Sequence, residues 1–193
     1  CEITNNDQAP SLKLVKKVSN NDGGTAVAND WDLTATGTSR TFTELTPALA
    51  DASFNDVTAG VEYTLTETPA PNTGGYSTTG IWECLGTGVT FTSPNKVKVA
   101  LGGSVTCTIT NTDDTPQLKL VKSVVNDDGG TKVADDWTLT ADAAGTGKDD
   151  RNISTPGGSD TPSNVYAGIV YALAEAPNPG PGYSTSGEWS CTG

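Results

Sequence analysis

Three polar residues continue the apolar face of a strand, and their types could do chemistry together. In "SLKLVKKV" the alternation puts Leu12, Leu14, Lys16 and Val18 on one face. In "VEYTLTE" Val61, Tyr63, Leu65 and Glu67 share a face, and in "SVTCTITN" Val105, Cys107, Ile109 and Asn111 do. An unpaired lysine or glutamate inside a core is costly, so three such groups pointing inward should meet one another. Burial disfavours charge, which leaves the lysine a neutral amine and the glutamate a protonated acid. A neutral Lys16 amine can attack the Asn111 side-chain carbonyl while the acid of Glu67 hydrogen-bonds that oxygen and relays protons as ammonia leaves. Fixed neighbours supply the effective concentration that a free amine and amide lack. The plainer alternative is a buried Lys–Glu pair beside a hydrogen-bonded asparagine. Lys13 and Lys17 alternate to the opposite face with Val15, where solvent is expected.

The elements that would position these groups occur twice. "CEITNNDQAPSLKLVKKVSNNDGGTAVANDWDLTAT" at residue 1 returns as "CTITNTDDTPQLKLVKSVVNDDGGTKVADDWTLTAD" at residue 107. Trp31 maps to Trp137, Tyr63 to Tyr171, Glu67 to Glu175 and Cys84 to Cys191. Lys122 follows Leu118 and Leu120 as Lys16 follows Leu12 and Leu14, and Cys1, Ile3 and Asn5 repeat Cys107, Ile109 and Asn111. The repeat predicts modules of about one hundred residues cut out of phase. Residues 1–8 read as the last strand of a preceding or neighbouring-subunit module, 9–114 as a complete module, and 115–193 as a second that stops before its last strands. "NDQAP" and "TDDTP" read as short, stiff linkers. Period-2 alternation throughout, with no helical periodicity over ten residues, predicts an all-β chain of tandem β-sandwich modules.

Composition narrows the setting. Eleven basic against 23 acidic residues give a net charge of −12, which argues against nucleic acid and anionic membranes as partners. No run of about 18 apolar residues is present to insert into a membrane. The absence of histidine removes the usual general base and the commonest metal ligand. Cysteines at 1, 84, 107 and 191 are too widely spaced for a CxxC pair and suit disulfides in an oxidising, extracellular setting.

"YTLTETPAPNTGGY" resembles the E-box of prealbumin-like domains in Gram-positive pilins and surface adhesins; "LKLVKKV" resembles their first strand and "TITNT" their last. The resemblance covers essentially the whole of each module. It implies a prealbumin/Ig-like sandwich in which a lysine and an asparagine join in a spontaneous isopeptide bond promoted by the E-box glutamate. Carried over by position, Lys16 is the nucleophile, Asn111 the electrophile and Glu67 the promoting acid. In the second copy Lys122 and Glu175 hold the corresponding places, with Asn5 as the matching asparagine. The cysteines of "WEC" and "TCTIT" depart from typical pilin modules and resemble a variant in repetitive surface proteins of actinobacteria. Cys84 and Cys107 lie on late strands of one module and are expected to pair, while Cys1 could bond Cys191 across subunits.

The loops "NNDGG" (20–24) and "NDDGG" (126–130), each followed by paired Asn or Asp, could gather oxygens for calcium. Asn-Gly and Asp-Gly are also strong turn signals and the spacing fits no EF-hand loop, so turns are favoured, with no cofactor required. Trp31 and Trp137 read as core, and Trp82 and Trp189 as cover for the cysteines. No nucleophile–His–acid set or phosphate loop appears, so an enzyme acting on external substrates ranks last. The expectation is a cell-surface shaft or stalk module of a fibre, pilus or adhesin, whose partners are neighbouring repeats or subunits in a head-to-tail filament. Donation of the 1–8 strand into the second module of the next subunit is one way to build it. The alternative is a ligand-binding adhesin module using the divergent loops 38–60 and 144–168.

Overall fold

Alternation along "SLKLVKKVS" produces β1 (Ser11–Ser19), whose Leu12, Leu14 and Lys16 are buried while Lys17 is exposed. The strands that follow are β2 (Trp31–Thr36), β3 (Thr41–Glu44), β4 (Asn55–Asp56), β5 (Glu62–Pro69), β6 (Tyr76–Thr78), β7 (Glu83–Gly86), β8 (Val89–Ser93), β9 (Lys96–Val99) and β10 (Ser104–Asp113). The second repeat forms β11 (Gln117–Leu118), β12 (Thr138–Asp142), β13 (Ile153–Pro156), β14 (Ser163–Asn164) and β15 (Ala172–Ala176). In this computed structural model every residue except Ser186 is described. The chain divides into two compact units, Cys1–Asp114 and Thr115–Gly193.

The first unit is a two-sheet sandwich. One sheet runs β4–β1–β10–β6, with β7 also on β10, and the other runs β3–β2–β5–β9–β8. Its core is the inner face of both: Leu12, Leu14, Val105, Cys107 and Ile109 from the first meet Leu33, Ala35, Tyr63, Leu65, Val97 and Val99 from the second. Strands β2, β5, β9 and β10 bury alternate residues, as a half-solvated sheet requires. The pairing of the first and last long strands, β1 and β10, is parallel and continues for nine positions from Ser11↔Ser104 to Ser19↔Thr112. The other ladders of the unit are antiparallel.

Val15, expected in solvent beside Lys13 and Lys17, is fully buried. β4 covers only Ser11 and Leu12 on the outer edge of β1. Beyond it the 47–49 segment takes over: the Lys16 N–H donates to the Pro47 carbonyl at 2.7 Å and the Lys13 ammonium to the Leu49 carbonyl at 3.1 Å. Alternation describes only the two faces of a strand, and this burial comes from a loop crossing its edge.

The second unit repeats the β2–β5 half as a sheet in the order β13–β12–β15, with β11 paired to β14. Leu120, Leu139, Ala141, Ile153 and Val165 form its core, with Leu118, Tyr171 and Leu173 packed against them. Residues 1–8 are exposed in this structure and lie outside the strands, with the Gln8 carbonyl accepting from Gly102 N–H at 3.0 Å.

Candidate functional site

β1, β5 and β10 bring Lys16, Glu67 and Asn111 to one end of the first sandwich. Lys16 follows Leu12 and Leu14 into the core, and its side chain is fully buried. Its ammonium donates to Glu67 Oε2 at 2.6 Å, across the gap between the two sheets. The Glu67 side chain is only 15% exposed. Burial pushes the Lys16 pKa below its ordinary 10.5, while the hydrogen bond and the charge of Glu67 pull it back up. Trp31 closes the site, with the Lys16 nitrogen 4.8 Å from its ring centroid. The sequence marked Trp31 as core and gave no hint of this contact.

Asn111 sits beside the pair. In the parallel β1–β10 register Lys16 is level with Ile109, and Asn111 is the next residue along on the same face, level with Val18. Asn111 and Glu67 both line a cavity with Trp31, Thr73, Tyr76 and Thr78. The asparagine is 4% exposed, and its Oδ1 is buried with no hydrogen-bond partner. An orphaned buried carbonyl costs about 1–3 kcal/mol, so the position is not explained by hydrogen bonding alone. A buried amine in contact with an acid, beside an unpaired carboxamide carbonyl, has the components of an intramolecular acyl transfer.

The second unit repeats two of the three groups. The Lys122 ammonium donates to Glu175 Oε2 and lies 5.0 Å from the Trp137 ring centroid. Glu175 Oε1 is buried without a partner. Asn5 is exposed, in the amino-terminal segment of the first unit.

Cys84 and Cys107 stand opposite each other in the β7–β10 ladder, with Cα atoms 3.9 Å apart, and are joined by a disulfide. Trp82 is 3% exposed in the same core cluster. Cys1 and Cys191 are exposed free thiols.

The "NNDGG" turn uses its polar backbone inward, on a residue the sequence reading passed over. Asp113 Oδ1 accepts from Asn21 N–H at 2.8 Å, and its Oδ2 from Asp22 N–H at 2.7 Å and Gly24 N–H at 2.8 Å. Tyr76 fastens the other side: its hydroxyl donates to Asn20 Oδ1 at 2.6 Å and accepts from Ala26 N–H at 2.9 Å. A Cβ on Gly24 would fall 2.2 Å from that hydroxyl, which is why glycine stands there. The signal for Asp113 was available, since it is the next residue on the face that runs Cys107, Ile109, Asn111. Among the described residues no group of three or more His, Cys, Asp or Glu is placed to hold a metal ion, and no helix is long and apolar enough to cross a membrane.

No curated protein and no solved structure matches the chain. The prealbumin-like fold domain family matches it twice in tandem, over residues 7–109 and 113–193. With the two-sheet sandwich and the repeated Lys–Glu–Trp arrangement, that match over nearly the whole length identifies the chain as a member of the prealbumin-like fold domain family.

Proposed function

We propose that this chain is a structural shaft segment of an extracellular fibre, pilus or surface adhesin, in which each module is stiffened by covalent cross-links rather than by core size alone. One cross-link is the Cys84–Cys107 disulfide. The other is an amide between Lys16 Nζ and Asn111 Cγ. The lysine nitrogen attacks Cγ, the Cγ–Nδ2 bond breaks, and Nδ2 leaves as ammonia with a proton that Glu67 relays from the lysine nitrogen. Glu67 is the promoting acid, and its contact with Lys16 at 2.6 Å suits proton transfer.

The observation that carries this reading is the orphaned Asn111 carbonyl in the cavity that Glu67 also lines. A residue kept only for stability would have its buried oxygen paired. Burial that lowers the Lys16 pKa favours the neutral nucleophile. Lys122 and Glu175 are the same pair in the second module, which supports a property of the repeat rather than of one site.

The test is the intact mass of the folded chain. Wild type should be lighter than its sequence by one ammonia for the first module, and Glu67→Ala should recover that ammonia after correction for the substitution. Masses under non-reducing and reducing conditions count the disulfide separately. A wild-type chain at full sequence mass would remove the amide and leave a buried ion pair.

A further inference from the structure

The Asn111 carbonyl is held in place by the strand that carries it, since its buried Oδ1 has no hydrogen-bond partner. That stretch of strand lies close to the end of the sheet. On one side Asn111 is level with Val18, and the β1–β10 ladder stops one rung later at Ser19↔Thr112. On the other side only the short β6 supports it, from Asn111↔Thr78 to Asp113↔Tyr76. Ladder ends are where strands open most readily. Past the last rung with β1 a side chain continues the connection. Asp113 is buried two residues beyond Asn111 on the same face of β10, and its carboxylate accepts from the N–H groups of Asn21, Asp22 and Gly24. The fit is close, because a Cβ on Gly24 would lie 2.9 Å from Asp113 Oδ2.

The turn that Asp113 grips joins the other parts of the site. It leaves β1 after Ser19 and leads through a single 3-10 turn, Ala28–Asp30, to Trp31, which covers the Lys16 ammonium. Tyr76, level with Asp113 in the β6–β10 ladder, bonds Asn20 and Ala26 through its hydroxyl and packs edge-on against Trp31, with ring centroids 5.5 Å apart. One carboxylate therefore ties the strand of the electrophile to the segment that runs from the strand of the nucleophile to its aromatic cover. Bonds from backbone N–H groups to an ionised acceptor are the stronger kind.

We propose that Asp113 is a positioning residue for the amide-forming step, keeping the Asn111 carboxamide within reach of the Lys16 nitrogen. This rests on the Lys16–Asn111 reading and deepens it. The three N–H groups that Asp113 accepts from all belong to the turn, so it acts through geometry, and Glu67 remains the group that moves the proton. Without the carboxylate the end of β10 is free to part from the turn, and the effective concentration of the carboxamide at the amine falls.

The test follows loss of ammonia by intact mass in the full chain, from the first minutes after cell-free synthesis, with the disulfide and near-UV circular dichroism as checks of folding. Asp113→Ala should form the amide at least about tenfold more slowly than wild type, since a misplacement of about 1 Å costs on the order of 100-fold. Asp113→Asn keeps one side-chain carbonyl to accept from the turn and should fall between the two. Val99→Ala is the control for lost stability alone. Val99 is fully buried beside Gly103, whose carbonyl accepts from Ser11 N–H at the far end of β1 from Lys16. That variant, its thermal midpoint measured alongside, should form the amide at the wild-type rate. A wild-type rate in Asp113→Ala, or equal slowing in Val99→Ala, would overturn the role. If Asp113→Ala does not fold, a wild-type rate in Asp113→Asn would overturn it instead. A wild-type chain that never loses ammonia would end the Lys16–Asn111 reading itself, and the role of Asp113 with it.

Discussion

Replacing Asn111 with alanine should lower the thermal midpoint of the first module on the order of 15–20 °C, and the size follows from the position of the proposed amide. Lys16 and Asn111 are separated by about 95 residues of chain. The disulfide lies inside that loop and short-circuits 23 of them, so the amide closes an effective loop of about 70 residues in the unfolded chain. The chain-entropy relation then gives about 4 kcal/mol. For a unit of this size, unfolding entropy near the midpoint is about 0.2 kcal/mol per kelvin, which converts the loss to the stated shift. Without an amide the substitution points the other way, because alanine removes a buried carbonyl oxygen that has no partner and so relieves a penalty. The two cases therefore differ in sign. Scanning calorimetry of both proteins, with the disulfide verified by mass, reads the result. A midpoint within a few degrees of wild type, or above it, would refute the cross-link.

Other expectations use the same geometry. In Asn111→Ala the Lys16 amine stays free, with its native pKa below 10.5. Between that lowered value and 10.5 the unfolded chain binds more protons, so stability should rise with pH through this window and level off above it. In the linked protein Lys16 is an amide and the rise should be missing, which urea midpoints from neutral to alkaline pH will show. Reduction of Cys84–Cys107, which closes a 23-residue separation, should cost the first module roughly 3 kcal/mol by urea titration and leave the second unchanged. Asp113→Ala removes three hydrogen bonds to a charged acceptor and should cost at least about 3 kcal/mol. Hydrogen exchange at Asn21, Asp22 and Gly24 should accelerate in the same variant, and unchanged exchange would show that the carboxylate does not hold the turn.

What was legible in the chain was whatever depends on period 2 and on the cost of burying charge. Alternation placed Leu12, Leu14, Tyr63, Leu65, Val105 and Cys107 on inner faces, and they are buried. A core-facing lysine needs a partner, which is why Lys16 and Glu67 could be set together before any strand order was known. Strand neighbours were not legible, since alternation is blind to direction; the parallel β1–β10 ladder follows from the closing of the whole sheet. Short strands such as β3, β4, β6 and β7, of two to four residues, carry too few alternations to register. The segment that crosses the edge of β1 beside the buried Val15 bonds the Lys16 N–H, and Trp31 stacks on the Lys16 ammonium; both partners are distant in sequence.

The parallel pairing also decides what the two cross-links would do in a shaft. The first module's chain enters its sheet at Ser11 and leaves at Asp113, and because β1 and β10 run the same way, these points lie at opposite ends of adjacent strands. Tension along the strands therefore loads the nine-position ladder in shear, with its rungs strained together rather than one at a time. An amide from Lys16 to Asn111 would shorten the load path to Ser11–Lys16, the new bond, and Asn111–Asp113. Nearly all of the intervening chain, roughly 300 Å if drawn straight, would then lie outside the path of the force. Cys84 and Cys107 sit within that sheltered segment. The disulfide would carry no tension while the amide holds, and its contribution would be to stability against unfolding. The two bonds would therefore not be redundant: the acid at position 67, out of place in an apolar strand face, would serve the bond that bears load.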